Sequence, residues 1–168
     1  MKILIVEDSP TVREMMIAHI QGNFPKMNNQ YVCTDSIVGG LLSVQKNNLD
    51  VILLDLTLKD SDNPRKTLEA FLPTIKSGIP TIVFTGTHDE KLIIDAIKSG
   101  VVGYVEKPDL KNLYSALSNC FERRSQAEAI KRLEENYEDL QSQFDSLREA
   151  VSSHFPLVKD KEETTKGG

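Results

Sequence analysis

Four short stretches of this chain end in side chains that suit phosphate or metal chemistry. The apolar run Val51-Ile52-Leu53-Leu54 leads straight into a carboxylate at Asp55, and Ile3-Leu4-Ile5-Val6 leads into two, Glu7 and Asp8. Thr81-Ile82-Val83-Phe84 ends at the hydroxyl of Thr85, and a run through Val105 ends at Glu106-Lys107-Pro108. Taken alone, Asp55 could equally open a loop or cap a helix. Carboxylates held within a few ångströms of one another cannot all ionise without raised pKa values or a bound cation. Hard oxygen ligands with no His or Cys suit magnesium, which commonly bridges carboxylates to a phosphate. A lysine and a threonine facing the same point add a cation and a hydroxyl donor for phosphate oxygens. Such a set suits phosphoryl transfer onto a carboxylate.

The elements that would bring these groups together are legible as an alternation. Short apolar runs containing Val and Ile read as strands buried on both faces. Strands are expected at residues 1–6, 30–34, 50–55, 81–84 and 101–105. Between them come helical stretches. Ser9-Pro10 supplies an N-cap and a first-turn proline, and Gly22 and Pro25 stop that helix. Asp35-Ser36 offers a cap for the second, which Gly39-Gly40 should weaken by about 1 kcal/mol per Gly relative to Ala. The third runs from about Arg65 to Lys76, the fourth follows His88-Asp89 and closes at Gly100, and Asp109 caps the fifth. Five repeats of strand and helix imply right-handed parallel crossovers and an α/β doubly wound, flavodoxin-like sheet of order 2-1-3-4-5. In that order Glu7, Asp8, Asp55, Thr85 and Lys107 converge at the carboxyl edge.

Bulk properties bound the function. At 168 residues and 39% hydrophobic content the chain can bury one core and carry an extension. A formal net charge of −5 and the lack of a basic block argue against nucleic-acid binding. No apolar run approaches the roughly 18 residues of a membrane span or the layout of a signal peptide, so no membrane contact and a cytoplasmic location are expected. Cys33 and Cys120 lack metal-ligand spacing and are expected to be reduced structural thiols.

Glu7-Asp8, Asp55, Thr85 followed by Gly86, Tyr104 and Lys107-Pro108 together resemble the receiver domain of two-component response regulators, over residues 1–122. The resemblance implies that Asp55 accepts a phosphoryl group from a phosphohistidine on a histidine kinase or histidine phosphotransfer protein. It implies Mg2+ bound directly by Asp8 and Asp55, through water by Glu7, and by the backbone carbonyl of Thr57. Lys107 and Thr85 would hold the phosphoryl oxygens, Tyr104 would rotate as Thr85 moves, and the Lys107-Pro108 peptide would be cis. The resemblance makes the chain a signalling switch acting on a downstream protein target, catalysing at most its own phosphorylation and dephosphorylation. Two departures stand out. Lys59 replaces the proline usual four residues after the acceptor, and no glycine follows before Gly78, so a longer or more mobile loop from Thr57 to Pro64 is expected.

Rival functions fit less well. A phosphatase resembling the haloacid dehalogenase family needs a second Asp two residues after the nucleophile, where this chain has Thr57. A flavodoxin-like cofactor binder needs amides and hydroxyls after the first strand, where this chain is acidic. A receiver-like scaffold that is never phosphorylated would not need the full set of site residues.

Beyond the receiver-like part, Ile130, Leu133, Tyr137, Leu140, Phe144, Leu147 and Val151 alternate three and four apart. That is a heptad seam. With no Pro or Gly between Phe121 and Ala150, the last helix is expected to continue as one rod of about 60 Å at about 1.5 Å per residue. Residues 123–153 are expected to form a coiled-coil extension and a homodimer through residues 130–151. A parallel pair is favoured, with an antiparallel pair, a larger bundle or a helix folded back on the domain left open. Neutral Asn136, Gln141 and Gln143 beside the seam leave ionic pairs little part in choosing partners. Residues 154–168 are expected to be a disordered tail. No helix-turn-helix is legible after residue 122, so output is expected to run through protein contacts.

Overall fold

The computed structural model describes residues 1–107 and 109–154. The chain alternates β1 (Lys2–Val6), α1 (Pro10–Asn23), β2 (Gln30–Thr34), α2 (Ile37–Lys46), β3 (Val51–Leu54), α3 (Pro64–Lys76), β4 (Thr81–Thr85), α4 (Glu90–Lys98), β5 (Gly103–Glu106) and α5 (Leu110–His154). All strand pairs are parallel, in the order β2-β1-β3-β4-β5. This is the flavodoxin-like, doubly wound sheet expected from the sequence. The expected cis bond before Pro108 and the expected tail at 155–168 lie outside the described residues.

Each helix begins on a side chain that accepts from an otherwise unpaired first-turn amide. Ser9 accepts from Val12 N, Ser36 from Gly39 N, Asn63 from Lys66 N and Asp89 from Lys91 N and Leu92 N. Asp109 accepts from the amides of Lys111 and Asn112, both at 3.1 Å. β5 starts at Gly103 rather than Val101. Gly100 at φ +99° turns the chain off α4, and the Val101 amide is engaged by the Ala96 carbonyl at 3.3 Å, leaving that residue unavailable to the strand.

Alternate residues of the central strands face opposite helical layers. Leu4, Val6, Ile52, Leu54 and Val83 pack with Leu68, Phe71 and Ile75 of α3 and Leu92 and Ala96 of α4. Ile3, Ile5, Val51, Leu53, Ile82 and Phe84 pack with Met16 and Ile20 of α1 and with Leu113, Leu117, Cys120 and Phe121 of α5. The glycines of α2 have a packing role that helix propensity does not show. A Cβ on Gly40 would meet Phe71 Cζ at 2.7 Å and Val6 Cγ2 at 3.1 Å, and one on Gly39 would meet Thr34 Oγ1 at 2.1 Å. Gly40 therefore lets α2 approach β1 and α3 more closely than any other residue would allow.

The chain divides into two compact units between Arg123 and Arg124. Within the second, Ile130, Leu133, Tyr137, Leu140, Phe144, Leu147 and Val151 are all exposed, from 54% to 68%. Arg124–Glu128 and Lys131–Glu135 ion pairs at i,i+4 lie along this stretch. No helix of the described residues is long and apolar enough to cross a membrane. Cys33 is exposed and Cys120 buried, and neither is in a disulfide.

Candidate functional site

The strand ends place the site because their ladder continues one residue past each strand. Glu7 N donates to Thr34 O at 3.0 Å, Asp55 N to Val6 O at 2.9 Å and Lys107 N to Thr85 O at 2.9 Å. These backbone bonds hold Glu7, Asp55 and Lys107 at the carboxyl edge, where open α/β sheets form their ligand crevice.

One carboxylate oxygen from each of Glu7, Asp8 and Asp55 lies within 4.8 Å of the others. Glu7 is 1% and Asp55 3% exposed, whereas the Asp8 side chain is 15% exposed. Among these carboxylates sits the Lys107 ammonium, 2.5 Å from Glu7 Oε2 and 2.7 Å from Asp55 Oδ2. The positive charge that faces Glu7 and Asp55 is thus supplied by the protein's own lysine. Lys107 also lies 5.7 Å from the centroid of the Phe84 ring, within reach of a cation–π contact.

The other oxygens of the two buried acids take backbone amides. Glu7 Oε1 accepts from Ser9 N at 3.1 Å, and Asp55 Oδ1 from Thr57 N at 2.9 Å. Burial pushes the Glu7 carboxyl above its ordinary value, opposed by Lys107 and the Ser9 amide. Thr85 is fully buried, and its hydroxyl lies 3.4 Å from that of Thr57. Tyr104 is turned to the loop after β4, where its hydroxyl donates to Thr87 O at 2.8 Å. Its phenol is pushed up to about 12, first by burial and then by Glu106, Asp89 and Asp55.

The structure therefore brings together Glu7, Asp8, Asp55 and Lys107, with Thr57 and Thr85 adjoining. Tyr104 is hydrogen-bonded to the Thr87 carbonyl rather than to a carboxylate, and Pro108 is outside the described residues. Sequence reasoning did not find Arg13, whose Nη1 donates to the Glu7 carbonyl at 2.5 Å, or Phe84 beneath Lys107. The N-cap at Ser9 carried a signal for Arg13, since it puts that residue within the first turns of a helix starting beside Glu7.

The loop after β3, which lacks the proline and glycine, is held at three points. Leu58 is 3% exposed in the core, Asp60 Oδ2 accepts from Ile37 N at 2.8 Å, and Asn63 caps α3. Lys59, in place of the usual proline, extends its ammonium to 3.9 Å from Asp8 Oδ2 while remaining 80% exposed. The crevice is walled by Asp8, Asp55, Thr57, Gly86, Thr87 and Lys107. A donor set of three carboxylates and no soft ligand fits a hard divalent cation.

A family model described as the response regulator receiver domain matches residues 3–118. Among characterised proteins, the chain is 30% identical over 107 residues to the glycerol metabolism activator of Pseudomonas putida, covering 63% of this chain and 47% of that one. It is 27% identical over 138 residues to the transcriptional regulatory protein KdpE of Staphylococcus aureus, covering 82% and 53%. The chain thus spans about half the length of these relatives. Solved structures share the fold. A CheY-like receiver domain from Methanospirillum hungatei superposes with TM-score 0.62 at 17% identity, covering 75% of this chain and 97% of that one. The Mn(2+)-bound form of the response regulator Rcp1 gives 0.51 at 24%, covering 68% and 86%. A match that takes in both the acidic strand ends and the lysine after the fifth strand places this chain in the response regulator receiver domain family of two-component systems.

Proposed function

We propose that Asp55 is the phosphoacceptor of a phosphorylation-dependent signalling switch. The observation that carries this reading is the Lys107 ammonium seated between Asp55 and Glu7 with Asp8 alongside. An Asp55 oxygen attacks the phosphorus of a phosphohistidine on a histidine kinase or histidine phosphotransfer protein. The new P–O bond forms as the P–N bond breaks, and the departing imidazole takes up a proton. Mg2+ held by Asp8, Asp55 and the Thr57 carbonyl, with Glu7 acting through water, would neutralise charge on the transferring phosphoryl group. The Mn(2+)-bound form of Rcp1 supports a divalent cation at such a site.

Lys107 then passes from the bare carboxylates to the phosphoryl oxygens, and Thr85 donates its hydroxyl to them. Drawing Thr85 inward pulls on Gly86 and Thr87, and through the Thr87 carbonyl it releases the Tyr104 hydroxyl. That remodels the face carrying β4, α4 and β5, to which a downstream protein binds. The net charge of −5 supports protein rather than nucleic-acid or anionic membrane partners. The exposed seam on α5 supports a homodimer through residues 130–151. The chain is not a turnover enzyme on this reading.

The test is labelling by acetyl phosphate or phosphoramidate with Mg2+, followed by intact mass. The parent gains one phosphoryl group and Asp55→Asn gains none. Equal labelling of the two would rule out Asp55 as acceptor.

A further inference from the structure

The heptad seam assigns positions on both flanks as well as at its centre. With Ile130, Tyr137, Phe144 and Val151 at a, and Leu133, Leu140 and Leu147 at d, the e positions are Glu134, Gln141 and Arg148. One heptad earlier the seam positions are Arg123 and Gln126, so the apolar strip starts at Ile130. Among the described residues, neither Glu134 nor Arg148 forms an ion pair within its own chain. Two opposite charges stand one on each side of a neutral Gln141, seven residues from it in each direction.

In place of the parallel pair that the apolar seam alone favours, and because Glu134 and Arg148 flank it with opposite charge, we propose that this face is occupied by a second copy of the chain running antiparallel, centred near residue 142. The proposal rests on the homodimer reading above and specifies its geometry. In an antiparallel pair each a residue packs across from a d residue, and e positions face e positions. Centring the pair there sets Glu134 against the partner's Arg148, Arg148 against the partner's Glu134, and Gln141 against the partner's Gln141. A register one heptad away sets Glu134 against Gln141 and Arg148 against Ala127, losing both charge pairs. A parallel pair sets e against g, so Glu134 meets Ala129 and Arg148 meets Gln143, with no opposite charges in contact.

The seam volumes favour the same choice. Parallel pairing stacks Tyr137 on Tyr137 and Phe144 on Phe144 at positions that suit β-branched residues in parallel dimers, with all-leucine layers between them. Antiparallel pairing puts Tyr137 across from the partner's Leu147, Phe144 across from the partner's Leu140 and Val151 across from the partner's Leu133. Each of these layers combines a leucine with a different partner, which spreads the aromatic bulk along the interface, while Ile130 falls at its end across from the partner's His154.

Pulsed dipolar spectroscopy on the full-length protein, with Cys33→Ser and Cys120→Ala and a single spin label, decides orientation. A label at Ser142 sits at the centre and gives a distance only one helix pair wide in either orientation, so it reports the dimer. A label at Lys131 gives an axial separation of roughly 33 Å in the antiparallel pair, at about 1.5 Å per residue over the offset, and almost none in the parallel pair. A short distance at both sites overturns the antiparallel geometry while keeping the dimer. No distance at either overturns both. Charge exchange gives a second readout. Arg148→Glu should weaken the dimer on the order of tenfold by replacing two attractions with two repulsions, and Glu134→Arg with Arg148→Glu should restore it. Equal dimer affinity in all three proteins would also overturn the proposal.

Discussion

Lys107 Nζ lies 2.7 Å from Asp55 Oδ2, so the cation placed to meet an incoming anion already holds the carboxylate proposed to receive it. The same ammonium serves Glu7. Removing it leaves two buried acids facing each other. Lys107→Ala is expected to destabilise the metal-free protein by about 3 kcal/mol at neutral pH, the range for breaking one side of a buried charge pair. Magnesium should narrow the gap, because a divalent cation at Glu7, Asp8 and Asp55 offsets the same negative charge. Urea unfolding of parent and variant, with and without Mg2+, measures both effects.

Glu7 gives the site a pH dependence. Burial raises its carboxyl above the ordinary 4.5, so the folded state binds this proton more tightly than the unfolded chain. Its contribution to stability is then fully present below pH 4.5 and is lost as pH rises through the raised value. Glu7→Gln carries no such proton. The stability of the parent relative to Glu7→Gln should therefore fall as the pH is raised from about 4 toward 7, read as urea midpoints. The variant should also bind Mg2+ more weakly.

Two glycine replacements in helices should move stability in opposite directions. Gly22 of α1 has open space around it, so Gly22→Ala is expected to stabilise by about 0.5–1 kcal/mol through helix propensity. Gly40 of α2 faces Phe71 Cζ at 2.7 Å, so Gly40→Ala should destabilise by about 1–3 kcal/mol through overpacking. Thermal melts of the two variants provide the comparison. A stabilising Gly40→Ala would show that α2 can move off β1 at little cost.

Leu140 is 65% exposed within its own chain, so placing a charge there should leave the receiver's unfolding midpoint unchanged. In a dimer the same substitution disrupts two core layers at once. Leu140→Asp is expected to weaken self-association by about a hundredfold or more, from the burial of two leucines. Sedimentation equilibrium of parent and variant measures it, and equal association would place the dimer contact elsewhere.

Much of the molecule was determined locally. Runs such as Val51–Leu54 read best as buried strands, and Ser9-Pro10 and Asp109 start helices through their own hydrogen-bonding chemistry. Five such alternations leave little freedom in topology, so the candidate acids, the threonine and the lysine were legible as strand-end residues before any coordinates. Tertiary structure decided what those residues do to one another. That Lys107 bridges Glu7 and Asp55, which are 100 and 52 residues away in sequence, depends on ladder register across the sheet and no local pattern records it. Nor does propensity show why α2 carries two adjacent glycines, because the reason lies in Phe71 of another helix and Val6 of a strand. Local hydrogen bonding and hydrophobic period are written along the chain, whereas close approach and charge compensation arise only when distant segments meet.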